Sequence, residues 1–246
     1  MFLRNRLALG LALSAAFLAA PAMAADFSIN PTRVELGVKK AVETITLSNG
    51  EDRELSFEVS LMKWSQKDNG EWVEVPSKDL VVYPALLKMP ANGKGIVRVG
   101  GKIATAPEVE GSYRLSIQEL PGGPSPDGTA VRLLTRVSLP IFITPGQKTE
   151  KFSLAALGSK EGLKLTISNQ GTVHSSPQEA LIEFLDASGK SLGAAVKGKN
   201  NTDYILPGAT TTLMQDWPAN CSSVKQVKVK LADLETLTAP VSGSCQ

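Results

Sequence analysis

One histidine and two cysteines leave this chain of 246 residues few ways to do covalent chemistry. His174 has no nearby Ser or Asp context resembling G-x-S-x-G, so it reads as a core or turn histidine. A lone imidazole and two thiols also fall short of a His-rich metal site, and no metal or other cofactor is expected. Cys221 and Cys245 lack the C-x-x-C spacing of a redox pair. The residues whose pattern does suggest a task run from 130 to 145, AVRLLTRVSLPIFITP. Val131, Leu133, Thr135, Val137 and Leu139 alternate on one face, with Ala130, Arg132, Leu134, Arg136 and Ser138 on the other, and both faces carry apolar groups. A last core strand would satisfy that periodicity. The preceding Pro-, Gly- and Ser-rich stretch from Leu120 to Gly128, however, delivers more apolar strand than one small sandwich needs. Such a strand suits β-augmentation, in which main-chain hydrogen bonds give affinity and alternate side chains fill a partner's groove.

The elements that must position this strand are also short. Hydrophobic residues make up 42% of the chain, aromatics only 5%, with Gly 21 and Pro 15, a balance that favours many turns and β-branched strands over long helices. Residues 1–25 combine Arg4 and Arg6, an apolar run from Leu7 to Ala20 and the small-x-small sequence Ala22-Met23-Ala24, which predicts a cleaved export signal. That run falls short of the roughly 20 apolar residues that span a bilayer, so no membrane insertion is expected. Export places Cys221 and Cys245 where a disulfide can form. Strands are expected over 41–47, 55–62, 81–83, 95–100, 113–119 and 130–143, then over 163–169, 180–186, 210–217 and 224–231. Turn signals such as Asn49-Gly50 and Asp68-Asn69-Gly70 separate them, and Trp64 and Trp72 flank the second of these as expected packing residues. The break at Thr144-Pro145-Gly146 divides the chain into residues 26–145 and 146–246, each the size of one immunoglobulin-like sandwich. The expectation is an all-β protein of two tandem immunoglobulin-like β-sandwich domains.

Charge narrows the choice of partners. The formal net charge of +2 rests on 26 Lys+Arg against 24 Asp+Glu, and Arg4 and Arg6 supply the excess, so the exported chain is formally neutral. Without a broad cationic field, nucleic-acid binding has little support. Lys225, Lys228 and Lys230 alternate with Val224, Val227, Val229 and Leu231 as the solvated face of one strand.

Several segments, in order, resemble the PapD-like periplasmic pilus chaperones. They are Ile29-Asn-Pro-Thr-Arg-Val34, Leu47-Ser-Asn-Gly50, the Trp64 strand, Val81-Val-Tyr-Pro84, Val97-Arg-Val99, Tyr113-Arg-Leu-Ser-Ile-Gln-Glu-Leu-Pro121 and Arg136-Val-Ser-Leu-Pro-Ile-Phe142. The Tyr-Arg…Glu-Leu-Pro stretch is the most specific. The Pro-Ile-Phe ending, with Asn169-Gln-Gly171, His174 and Tyr204-Ile-Leu-Pro-Gly208, is more similar to the archaic, spore-coat-type branch.

The resemblance implies a non-enzymatic chaperone in the periplasm. It would lend a strand to pilus or fimbrial subunits whose immunoglobulin fold lacks the last one, and pass them to an outer-membrane usher; chaperone–pilin complementation is a recognised case of β-augmentation. Free, it could cap its own strand as a homodimer. The groove-facing donors implied are Val131, Leu133, Thr135, Val137 and Leu139, with Leu134 taking over if a bulge switches the faces. The family also holds the subunit's C-terminal carboxylate with an arginine and a lysine between its domains. Arg33 stands at the arginine position, but Val137-Ser-Leu-Pro140 has no lysine, so Arg114 is the expected substitute, with Arg136 behind it. An exported β-sandwich adhesin or structural fibre component is the alternative reading.

Overall fold

A computed structural model describes residues 26–67, 69–122, 133–175, 180–198, 204–231 and 236–245. Phe27–Asn30 (β1) pairs antiparallel with Val42–Asn49 (β3), and that sheet continues through Lys94–Gly100 (β8) to Val81–Tyr83 (β6). After Asn30 the chain crosses to the facing sheet at Pro31, a residue with no N–H to leave unpaired. Val34–Leu36 (β2) then lies parallel to Arg136–Ile143 (β10), and the sheet runs on through Gly111–Glu119 (β9) and Leu55–Gln66 (β4) to Trp72–Pro76 (β5). Leu86–Met89 (β7) pairs with the start of β4.

Period-two alternation sets the core. Ile45 and Leu47 from β3 meet Leu55, Phe57, Val59 and Leu61 from β4 and Leu115 and Ile117 from β9, all buried. Each such side chain contributes about 1.5–3 kcal/mol on burial, so a one-residue slip of register would be costly.

The second strand system holds Phe152–Ser159 (β11), Gly162–Asn169 (β12), Leu181–Leu185 (β13), Val196–Lys197 (β14), Thr210–Gln215 (β15), Gln226–Lys230 (β16) and Thr236–Gly243 (β17), ordered β14-β13-β16-β17-β11-β12-β15. β17 pairs with β16 as far as Pro240 and with β11 from Val241, so this strand also changes partners at a proline. The Cys221–Cys245 disulfide, with Cα atoms 6.1 Å apart, fastens a 3-10 turn at Cys221–Ser223 to the end of β17. The architecture is therefore two immunoglobulin-like β domains, as the alternation predicts.

Two expectations change. The strand expected over 130–143 is regular only from Arg136, with Leu133 to Thr135 in non-strand backbone and residues 130–132 outside the described residues. Trp64 does not pack inside the first sandwich: its indole leaves the sheet on the opposite face and joins the core of the second domain, as does Phe142.

Tyr113 ties β9 to the loop before β6 by donating its hydroxyl hydrogen bond to Asp79 Oδ2 at 2.9 Å. Burial first, and then the hydrogen bond and charge of Asp79, push its pKa up to about 12. An unfolded tyrosine ionises near pH 10, so the stabilisation is complete below that pH and lost as pH rises from about 10 toward 12. Tyr113→Phe should therefore show a smaller fall in urea midpoint between pH 8 and pH 11 than the wild type; parallel falls would contradict this assignment.

Candidate functional site

β10 has unequal partners along its two edges. Against β9 it is paired throughout, from Arg136↔Gln118 to Ile143↔Gly111. Against β2 it is paired only at Ile141↔Val34, Phe142↔Glu35 and Ile143↔Leu36. Among the described residues, therefore, no strand covers the second edge from Arg136 to Pro140. The Glu119 N–H donates to the Thr135 carbonyl at 2.9 Å, and the Thr144 N–H donates to the Leu36 carbonyl at 2.8 Å. By antiparallel alternation, odd-numbered residues of β10 bond β9 and even-numbered ones turn their main-chain groups to the other edge. Pro140, an even position without an N–H, leaves no donor unmet there. Arg136 and Ser138 present main-chain groups to that edge.

Side chains divide in the same way. Val137, Leu139 and Ile141 point into the first domain, where Leu139 is 4% exposed and Val137 packs against the same cluster. This corrects the expectation that Val137 and Leu139 face a partner's groove, because the chain's own core already holds them. Leu133 shares their parity but lies beyond the edge of that core and is 59% exposed. Thr135, half-buried between them, still bonds β9. Leu134 is exposed, and Val131 falls outside the described residues.

The opposite face of this sheet carries the cations. Arg114, in register with Pro140, is buried between two indoles, its guanidinium carbon 4.5 Å from the Trp64 ring centroid and 4.4 Å from that of Trp72. Its Nε donates to Ser138 Oγ at 2.7 Å and pairs with Glu74 Oε1 at 3.3 Å, while Nη2 donates to the Ser138 carbonyl at 3.1 Å. Arg136 reaches the other Glu74 oxygen at 3.4 Å and donates to Ser116 Oγ at 3.0 Å. Ser138 is thus the residue that Arg114 grips. Arg33 sits just before β2 and pairs with Glu35 at 3.0 Å, both side chains about half exposed. An exposed pair of this kind contributes about 0–1 kcal/mol, so an incoming carboxylate could displace Glu35 at little cost. Arg114 has no such freedom. Of the two expected anchors, Arg33 is accessible and Arg114 organises the face behind it. Glu74 was not anticipated, because nothing local in Trp72-Val-Glu-Val-Pro76 distinguishes a bridging carboxylate from an exposed one.

The two domains meet beside this face. Phe142 stacks on His174 with ring centroids 3.8 Å apart, and Trp64 meets Tyr204 edge-on at 5.3 Å. His174 Nδ1 lies 2.8 Å from Glu110 Oε1, which also accepts the His174 N–H at 3.2 Å. Gln66 adds two bonds across the junction, donating to the Tyr204 carbonyl and accepting from the Leu206 N–H, each at 2.8 Å. The single histidine is therefore an interdomain residue. Sequence could not reveal Glu110 as its partner or Gln66 as a second bridge across the junction, since each is far along the chain from the residues it meets.

A family model described as the N-terminal domain of PapD, a pili and flagellar-assembly chaperone, matches residues 26–148. No curated protein matches the sequence. The fold is similar to that of the class 5 fimbriae chaperone CfaA, with TM-score 0.60 and 18% identity over 88% of this chain and 99% of that one. It is also similar to the chaperone–tip adhesion subunit complex CsuC–CsuE of the archaic chaperone–usher Csu pili of Acinetobacter baumannii (TM-score 0.57, 16% identity, 89% and 99% covered). The Salmonella enterica SafA pilin in complex with the SafB chaperone gives TM-score 0.57 at 15% identity, with 89% and 98% covered.

His174→Ala removes both the stacked ring and the imidazole nitrogen that meets Glu110 Oε1 across the junction. It should cost about 1–3 kcal/mol of stability and widen the range of interdomain angles seen by small-angle scattering. An unchanged scattering profile and melting point would show that the junction does not depend on it.

Proposed function

The chain belongs to the family of pili and flagellar-assembly chaperones, a family of chaperones rather than enzymes, and on that premise we propose that it captures incomplete pilus subunits on the open edge of β10. The observation that carries this reading is that edge, covered by no strand from Arg136 to Pro140 among the described residues and continuous with the exposed Leu133. A subunit lacking its last strand would add its own strand edge there, and main-chain bonds would supply affinity independent of sequence. Leu133, and Val131 by the same alternation, would enter the subunit's groove. Burying each would contribute about 1.5–3 kcal/mol before association costs. That sum is small enough for another subunit's strand to replace the chaperone's at an outer-membrane usher without nucleotide.

Arg33 would hold the subunit's terminal carboxylate through paired guanidinium hydrogen bonds, releasing Glu35. Arg114 would keep Ser138 and Glu74 in place beside it. The reading takes residues 1–25 as an export signal removed on entry to the periplasm, 26–145 as the strand-lending domain and 146–246 as the second domain. The same open edge would permit two free copies to cap one another.

Co-expression in a periplasm tests the reading. A pilus subunit deprived of its final strand should accumulate as soluble material only with this chain present; equal recovery without it would reject the function. Leu133→Asp should abolish recovery while the chaperone's own unfolding free energy stays within about 1 kcal/mol of wild type, since an exposed side chain changes little on substitution. Arg33→Ala should weaken capture about tenfold or more, the loss of one charge-assisted contact; unchanged affinity would place the anchor elsewhere.

A further inference from the structure

Where β10 loses its regular strand, a buried carboxylate takes over from the ladder. Glu119 ends β9 with only 1% of its side chain exposed. Its main-chain N–H donates to the Thr135 carbonyl at 2.9 Å, as a ladder bond should. The return bond is different: the Thr135 N–H donates to Glu119 Oε2 at 3.3 Å, to the side chain instead of the carbonyl, which accepts Gln118 Nε2 at 3.3 Å. The other oxygen, Oε1, pairs with Arg53 at 3.4 Å. Arg53 Nε in turn pairs with Glu51 at 3.3 Å, and Glu51 accepts the Asp26 N–H at 2.8 Å. An isolated carboxylate at this depth would be expensive, and Arg53 offsets that cost.

We infer that Glu119, held by Arg53, is a positioning residue that fixes the register at which the lent segment leaves the first domain, and so sets where Leu133 is presented to a subunit. The inference rests on the strand-lending function proposed above. Thr135 is the last described residue on the approach to Leu133 that β9 still holds, and both of its main-chain bonds go to Glu119. Without the carboxylate, the Thr135 N–H loses the acceptor it uses on that side. The segment could then fray toward Arg136 or slip by one residue, which would carry Leu133 to the wrong face. The arrangement also ties the lent segment to the start of β1 through Glu51.

Amide hydrogen exchange on the free full-length protein tests the clasp without any subunit. In Glu119→Leu, exchange at Thr135 should quicken about tenfold, the loss of one hydrogen bond, while Ile117 and Leu139 keep wild-type rates. In Glu119→Gln, which keeps an oxygen acceptor but loses the charge that Arg53 neutralises, the change at Thr135 should be smaller. Unchanged exchange at Thr135 in Glu119→Leu, or equal acceleration at Ile117, would overturn the clasp. Capture of a pilus subunit lacking its final strand then separates the two claims. Slower capture by Glu119→Leu, at an unchanged melting point, supports positioning, and capture at the wild-type rate overturns it. If the wild type captures no subunit, the chaperone function fails, while the exchange data still decide the clasp.

Discussion

The fold turns on the uneven pairing of one strand. At Ile141 to Ile143, β10 is held on both sides, by β2 and β9, and this anchors it in the first domain. From Arg136 to Pro140, β9 is its one strand partner among the described residues. A strand with one free edge is ordinarily an aggregation hazard, and proteins usually cover or shorten it. Here Pro140 limits the exposed donors at one end, and the strand gives way to irregular backbone at the other. What remains is a short open edge, the one on which a partner's strand is proposed to add.

The two faces of the same strand divide the remaining work. Val137, Leu139 and Ile141 are fixed in the core, so the strand cannot rotate when a partner arrives. On the other face Phe142 joins Trp64 at the domain junction, while Ser138 and Arg136 meet Arg114, Glu74 and Trp72. Arg114 is thereby immobilised. Its ion pairs and its stacking between indoles fix it in that face, while Arg33 lies about half exposed beside Glu35. The aromatic contacts around His174 and the Gln66 bonds hold the second domain beside that face.

Much of this was legible in the sequence because alternation is a local signal. Within the strand expected over 55–62, period two puts Leu55, Phe57, Val59 and Leu61 on one face, and that face is buried. β11 escaped notice because Phe152-Ser-Leu-Ala-Ala-Leu-Gly-Ser159 carries small residues of weak strand preference, and β17 because Pro240 interrupts it. Periodicity assigned Leu133 and Leu139 to one side of the strand but could not say where the domain's own core ends, a boundary set by the facing sheet. The roles of Glu74, Glu110 and Glu119 arise from partners distant in sequence, so no local pattern could separate them from surface acids.

Residue-resolved amide exchange on the complex with a pilus subunit tests the central claim most directly, that the free edge of β10 is where the partner's strand adds. In the free protein the Arg136 and Ser138 amides should exchange quickly for want of a strand partner, and in the complex they should slow by about a hundredfold or more, as ladder amides do. A tight complex in which both amides exchange as fast as in the free protein would contradict the account.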